Sequence, residues 1–108
     1  MSVIEVNDTN YIREVQNSDL PVLLDFYATW CGPCQMLSPT IHALAEAQEG
    51  RFKFCQCNVD QAPGLVQQFR IMSVPTLVVM AEGKECRRLV GGQDEEDILK
   101  ALEEAARS

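Results

Sequence analysis

Apolar residues recur along this chain with two different periods, which together predict strands that alternate with helices. The strongest predicted strand is a nearly unbroken apolar run at residues 21–28, typical of a parallel strand that is covered on both faces. A single acid, Asp25, interrupts this run. The next segment, residues 35–48, has apolar residues three and four positions apart and therefore predicts a helix. The stretch between the two segments lies where a strand ends and a helix begins.

The remaining segments continue this alternation. Before the apolar run, the pattern predicts a strand at residues 3–6 and a short helix with an apolar face of Tyr11, Ile12 and Val15. After it, the predicted elements are a strand at 52–59, a helix that starts at 58–63, a strand at 76–80, a strand at 85–90 and a helix at 94–107. The spacing also predicts that Met36 in the helix at 35–48 and Ala106 in the helix at 94–107 face inward. The order βαβαβαββα predicts an α/β fold with a mixed five-stranded sheet and four helices. We expect one domain over residues 1–108.

Two cysteines, Cys31 and Cys34, flank Gly32 and Pro33 at the junction of strand and helix. In a first helical turn, residues three apart lie on one face, at a Cα separation that a disulfide tolerates. The unpaired N–H groups and the dipole of the helix N-terminus favour an anion, so they favour a thiolate at Cys31. Pro33 suits an early helical position, because proline lacks the N–H group that would be unpaired there. This placement indicates redox chemistry.

Two other interpretations of the cysteine pair stay open at this point. A Cys-x-x-Cys pair also supplies half of many zinc sites, and it can form an inert structural pair. A zinc site needs a second pair of ligands, but the chain has one histidine and no second Cys-x-x-Cys motif. The residues therefore favour the redox interpretation and predict no metal.

The charge balance and the N-terminus restrict the possible partners and location. The formal net charge of −7 argues against nucleic acid and against anionic membranes, which select basic surfaces. The first residues show no basic region followed by an apolar one, so we expect no signal peptide. No apolar run approaches the ~18 residues of a transmembrane helix. We therefore expect a cytoplasmic protein, where catalytic thiols are more common than structural disulfides.

The order of elements, together with the motif Trp30-Cys31-Gly32-Pro33-Cys34, resembles the thioredoxin family over essentially the whole chain. Further matching segments lie at residues 25–26, 28, 39, 58–60, 74–76, 83 and 90–91, without obvious insertions. The resemblance implies the thioredoxin fold and a general protein-disulfide reductase that needs no bound cofactor. It also implies a monomer that a thioredoxin reductase reduces again. Its expected substrates are disulfide-containing proteins, such as reductive enzymes and peroxiredoxin-like proteins.

The resemblance also implies catalytic roles. Cys31 corresponds to the attacking thiol, Cys34 to the resolving thiol, and Asp25 to a buried acid beneath them. Gly32 and Pro33 tune the redox potential of the pair. Related oxidases and isomerases often carry a histidine there, whose positive charge stabilises the thiolate, so this pair favours a reductant. Besides an oxidase or isomerase of the same fold, a second alternative to a reductase is a binding module that docks proteins on the surface around the motif without turnover.

The resemblance further implies a flat apolar surface that docks protein substrates. Beside the motif it includes Trp30, Val74, Pro75, Val90 and Gly91. The Val74–Pro75 bond corresponds to the cis-proline loop of the family, whose backbone at Val74 pairs with a strand of the substrate.

The chain departs from the family pattern near the site. Tyr27 stands where Trp is usual, and Gln35 and Gln56 stand where Lys is frequent. The missing cations weaken the stabilisation of a thiolate and of the buried carboxylate. Outside the motif, we expect Cys55 and Cys57 to be buried apolar residues and Cys86 to be a free surface or half-buried thiol.

Overall fold

The computed structural model describes residues 3–107 and contains a mixed five-stranded sheet. Its strands are β1 (Val3–Glu5), β2 (Val22–Tyr27), β3 (Lys53–Asn58), β4 (Thr76–Ala81) and β5 (Lys84–Val90). They lie in the order β1-β3-β2-β4-β5. The first three are mutually parallel, whereas β4 runs antiparallel to β2 and β5 antiparallel to β4. The predicted mixed sheet is confirmed, and β2 lies at its centre.

Helices cover both faces of the sheet. They are a short π-type helix (Ile12–Gln16), α1 (Gly32–Ala47), α2 (Pro63–Phe69) and α3 (Glu95–Arg107), with a 3₁₀ turn at Val59–Gln61. The short helix and α2 pack on one face, and α1 and α3 pack on the other. Successive residues of β2 enter the two cores in turn, with Leu24 and Phe26 on one side and Leu23 on the other. The long apolar run therefore belongs to a strand that is buried on both faces.

Three residues that helical spacing predicted to face inward are exposed. Ile12 is 60% exposed, because an i→i+5 hydrogen bond from the Asn17 N–H to the Ile12 carbonyl closes the short helix. This π-type turn changes the spacing of the residues that face inward. Met36 is 82% exposed, since it lies about 100° around α1 from the buried Leu37. Ala106 is exposed, and its neighbour Ala105 packs inward in its place.

An N-terminal segment caps α2 from across the sequence. Ala62, which precedes the helix, makes no side-chain cap. The carboxylate of Asp8 instead accepts the backbone N–H groups of Gly64 at 3.0 Å and Leu65 at 2.9 Å. A Cβ on Gly64 would lie 3.0 Å from the Asp8 carboxyl group, so a glycine lets this carboxylate approach. The contact fixes the loop after β1 against α2.

We expect Asp8→Ala to lower the free energy of unfolding by about 1 kcal/mol, because two N–H groups at the start of α2 lose their acceptor. Urea denaturation of both proteins measures the change. Asp19→Ala is the matched control, since this exposed acid makes no hydrogen bond in the described part of the chain. Equal losses in the two variants would show that the Asp8 contact does not stabilise the fold.

Candidate active site

The loop from β2 to α1 places the two cysteines at the start of a helix. Cys31 is the N-cap of α1, with extended backbone angles, and Cys34 lies in the first turn. Their Cα atoms are 5.3 Å apart and their sulfurs are bonded, so the structure shows the oxidised state. The N–H of Cys34 donates to the Cys31 sulfur at 3.1 Å. The sulfur of Cys31 thus occupies the position of an N-cap acceptor.

The surroundings of Cys31 favour negative charge on its sulfur. The first turn of α1 contains no acidic residue, so no carboxylate competes with the sulfur for the helix N-terminus. Both cysteines are nearly buried and pack with Ala28. Gln35, where the family often has Lys, donates from its side chain to the Thr29 carbonyl at 2.8 Å. Its amide therefore holds the loop that leads to Cys31 but brings no charge.

The predicted cis-proline loop lies against Cys31. The Val74–Pro75 peptide bond is cis, and the Val74 carbonyl oxygen is 3.8 Å from the Cys31 sulfur. The N–H of Gly91 donates to the Pro75 carbonyl at 2.9 Å, which joins the end of β5 to this loop. Pro75 is buried, so it shapes the surface from below without exposing its side chain. The structure thus brings Val74, Pro75 and Gly91 together with the cysteine pair.

An apolar rim surrounds the cysteine pair. Trp30 is 69% exposed, and its indole N–H donates to Asp60 at 2.9 Å, which fixes the ring on the surface. Trp30 and Val74 line a depression of about 300 Å³ together with Met72, which is 93% exposed. Met36 and Pro33 line a second depression of about 320 Å³.

Met36 and Met72 are the parts of this rim that the sequence pattern did not identify. The pattern placed Met36 on the inner face of α1 and assigned no role to Met72. A flexible apolar methionine in the loop just before the Val-Pro pair is the signal that could have indicated Met72, because methionine adapts to varied apolar partners.

Asp25 is buried in β2, as expected for an acid within an apolar run. It is 2% exposed and lies in register with Gln56 of β3 and Leu77 of β4. Burial raises the pKa of Asp25 to about 7; hydrogen bonding from the Gln56 side chain acts against this rise, and the charge of Glu5 adds to it. Its Oδ1 atom has no hydrogen-bond partner among the described residues. The carboxyl therefore changes its charge near neutral pH.

A cavity of about 260 Å³ lies beside Cys34, and Asp25 does not line it. Cys34 and Gln56 both line it, together with Tyr27 and Ser38 from β2 and α1. Cys31 does not line this cavity. Its sulfur faces the Val74 loop instead. The two side chains are about equally buried, but their sulfurs have different neighbours.

The three remaining cysteines lie outside the site. Cys55 and Cys57 are buried, and burial raises the pKa of each thiol to about 12. Cys86 is exposed on β5 and its sulfur lies 3.7 Å from the Lys84 carbonyl. These positions confirm the predicted burial of the first two and the surface position of the third. Within residues 3–107, no helix is long and apolar enough to cross a membrane.

Comparison with known proteins identifies the family of this chain. The sequence model of the family described as Thioredoxin matches residues 2–104.

The chain belongs to the thioredoxin family.

Relatives of this chain carry the thioredoxin name. A thioredoxin of Porphyra purpurea is 43% identical over 84% of this chain and 85% of its own, and one of Chlorobaculum thiosulfatiphilum is 40% identical over 93% of both. A bifunctional thioredoxin reductase/thioredoxin of Mycobacterium leprae is 35% identical over 92% of this chain and 22% of its own length. Cys31 and Cys34 are therefore the redox-active pair of a thioredoxin-family dithiol oxidoreductase that reduces disulfides.

We expect Asp25→Asn to stabilise the protein at high pH but not at low pH. Between the unfolded pKa of 3.8 and the folded pKa of about 7, the folded chain holds a proton that the unfolded chain has lost. The free energy of unfolding therefore falls as pH rises through this window, by up to about 4 kcal/mol, and the loss is complete above it. Denaturant midpoints between pH 3 and pH 9 measure this. Parallel curves for the two proteins would contradict it, and Asp19→Asn controls for the lost charge.

We expect a maleimide to modify only Cys86 in the oxidised, folded protein. Cys55 and Cys57 are buried with raised pKa values, and Cys31 and Cys34 are bonded to each other. Intact mass should show one added group when the chain is folded, and none in Cys86→Ser. Unfolding without a reductant should expose Cys55 and Cys57 as well. Modification of either one in the folded protein at the rate of Cys86 would contradict their burial.

Proposed function

We propose that Cys31 is the nucleophile and Cys34 the resolving thiol of this protein-disulfide reductase. This proposal is supported by the different surroundings of the two sulfurs. The Cys31 sulfur accepts an N–H at the helix N-terminus and faces the Val74 loop. Cys34 instead lines the cavity of about 260 Å³ together with Gln56. A thiolate at the helix N-terminus is the better nucleophile at neutral pH. A substrate sulfur that arrives from the apolar rim meets Cys31 first.

The reaction has two exchange steps. The Cys31 thiolate attacks one sulfur of the substrate disulfide, forms a mixed disulfide and releases the other substrate sulfur as a thiolate, which takes a proton from water. Cys34 then loses its proton and attacks the Cys31 sulfur. The mixed disulfide breaks, the second substrate thiolate leaves, and the Cys31–Cys34 bond forms. Two electrons pass from the dithiol to the substrate.

Asp25 is suited to accept the proton of Cys34 in the second step. Its pKa near 7 lets it accept and return a proton at neutral pH. It makes no direct hydrogen bond to either cysteine in the described part of the chain. In this proposal the transfer uses water in the cavity that Cys34 lines together with Gln56, the residue in register with Asp25.

The partners follow from the apolar rim and from the relatives. Trp30, Val74, Val90 and Gly91 offer a surface for an extended, apolar segment next to a disulfide, and in this proposal the backbone at Val74 pairs with that segment. The Mycobacterium leprae relative, whose name joins a thioredoxin reductase to a thioredoxin, supports a reductase of that class as the electron source. A cytoplasmic location is part of this proposal, supported by the unpaired thiols Cys55 and Cys57.

We expect Cys34→Ser to accumulate a covalent mixed disulfide with a protein substrate, because no second thiol resolves it. Cys31→Ser should form none. Insulin serves as the substrate, non-reducing electrophoresis and mass spectrometry locate the bond, and Cys86→Ser is the background that removes the exposed thiol.

Turnover separates an enzyme from a binding module. With dithiothreitol as the electron source, the unchanged chain should reduce insulin catalytically, and both single variants should fail. A mixed disulfide that forms through Cys34 in the Cys31→Ser variant would reverse the two roles. Insulin reduction no faster than with dithiothreitol alone would overturn the proposed function.

A further inference from the structure

Three polar residues form a row across three neighbouring strands, here called the acid row: Glu5 of β1, Gln56 of β3 and Asp25 of β2. Glu5 is in register with Gln56, and Gln56 is in register with Asp25. Residues in register on parallel strands point to the same face, so all three side chains lie on one side of the sheet. Strands are about 4.8 Å apart, which places the backbones of Glu5 and Asp25 about 10 Å apart.

A fourth residue, Tyr27 of β2, lies beside the acid row. It lies two residues after Asp25 and therefore on the same face. Its hydroxyl donates to the carboxylate of Glu5, with both oxygens at 3.1 Å. Burial, followed by the charge of Glu5, raises the pKa of Tyr27 to about 12, so the hydroxyl stays protonated and remains a donor. Tyr27 thus reaches across β3 and binds the exposed carboxylate of Glu5.

We propose that Glu5 is a positioning residue for the thiol exchange: held by Tyr27 at the edge of the sheet, it strengthens the hold of Asp25 on a proton. This inference rests on the proposed role of Asp25 as the acceptor of the Cys34 proton. The row runs from an exposed charge on the edge strand to a buried carboxyl in the central strand, which leads to the redox pair. The neutral Gln56 between them separates the two acids without neutralising either one.

Among the described groups around Asp25, Gln56 stabilises the carboxylate by a hydrogen bond, but none brings a positive charge to it. Tyr27 faces it from its own strand, Glu5 from β1 and Gln56 from β3, while β4 contributes the apolar Leu77. Cys57 lies on the opposite face of β3, and Cys34 of α1 lines the cavity beside Gln56. The causes of the raised pKa of Asp25 include no lysine or arginine. Glu5 is therefore the charged side chain that acts on this carboxyl.

For catalysis, the consequence is a pKa of Asp25 that lies near the working pH. A group transfers protons best when its pKa lies near the working pH. With its carboxyl at about 7, Asp25 takes the proton of Cys34 and gives it up again within one cycle. Without the charge of Glu5, the carboxyl would be a weaker base and would stay ionised to lower pH.

The decisive variant is Glu5→Gln, which keeps the size of the side chain and an oxygen acceptor for Tyr27 but removes the charge. The titration of Asp25 is followed by carboxyl ¹³C NMR on the full, oxidised chain, and insulin reduction is followed against pH. We expect the Asp25 midpoint to fall by roughly half a pH unit, as Coulomb's law gives for charges about 10 Å apart between protein and water. The acidic limb of the rate profile should move in the same direction.

Glu46→Gln is the matched control, because it removes the same charge from an exposed position on α1. It should leave the Asp25 midpoint in place. Tyr27→Phe is a second variant that keeps the charge of Glu5 but releases it, and it should lower the midpoint by less than Glu5→Gln. An Asp25 midpoint that is unchanged in folded Glu5→Gln would overturn the inference, since a purely structural role for Glu5 does not alter this titration.

The same experiments separate this inference from the proposed function. If Asp25→Asn reduces insulin as fast as the unchanged chain at every pH, Asp25 is not the proton acceptor, and the catalytic part of the inference fails with it. If Asp25→Asn is slow but Glu5→Gln titrates like the unchanged chain, the proposed function stands and the role of Glu5 is wrong.

Discussion

The redox site depends on one junction, where β2 ends at Tyr27 and α1 begins at Gly32. Neighbouring strands on both sides hold β2 in place, and α1 packs its inner stripe on the same sheet. The direction of the first turn of α1 is therefore set by the core. Cys31 falls at the N-cap and Cys34 one turn later, so both sulfurs face each other before any substrate arrives. The preorganisation of the pair is a property of the whole sheet.

The strand that leads into this junction contains a buried carboxyl group, that of Asp25. Asp25 lies in the most enclosed strand, where a charged group reduces stability unless it is neutralised. Local preference and global fold disagree at this position, and such conflicts are expected at functional sites. The apolar environment that makes the acid costly to the fold also brings its pKa into the range where proton transfer is useful. If Asp25 has the proposed role, stability and catalysis act in opposite directions on this residue.

Much of this architecture can be predicted from the sequence, and the failures have physical causes. The apolar run around Asp25 indicated a strand buried on both faces, and the acid within it was correctly expected to be buried. Periodicity failed for Ile12, because a π-type turn does not have the 3.6-residue spacing of an α-helix. The contact of Tyr27 with Glu5 could not be predicted from the sequence. Its prediction would require the pairing of β1 with β3 and the register of that pairing. Local pattern indicates elements, whereas cross-strand neighbours arise from pairing.

The central claim is that the helix N-terminus makes Cys31 the reactive thiol. Its most direct test is the rate at which iodoacetamide alkylates each thiol of the reduced protein between pH 5 and pH 10, in a Cys86→Ser background, with the modified residue located by mass spectrometry. The account predicts that Cys31 reacts first, with a half-maximal rate at a pH below the ~8.5 of a free thiol. Faster alkylation of Cys34, or a midpoint for Cys31 at or above that of a free thiol, would contradict it.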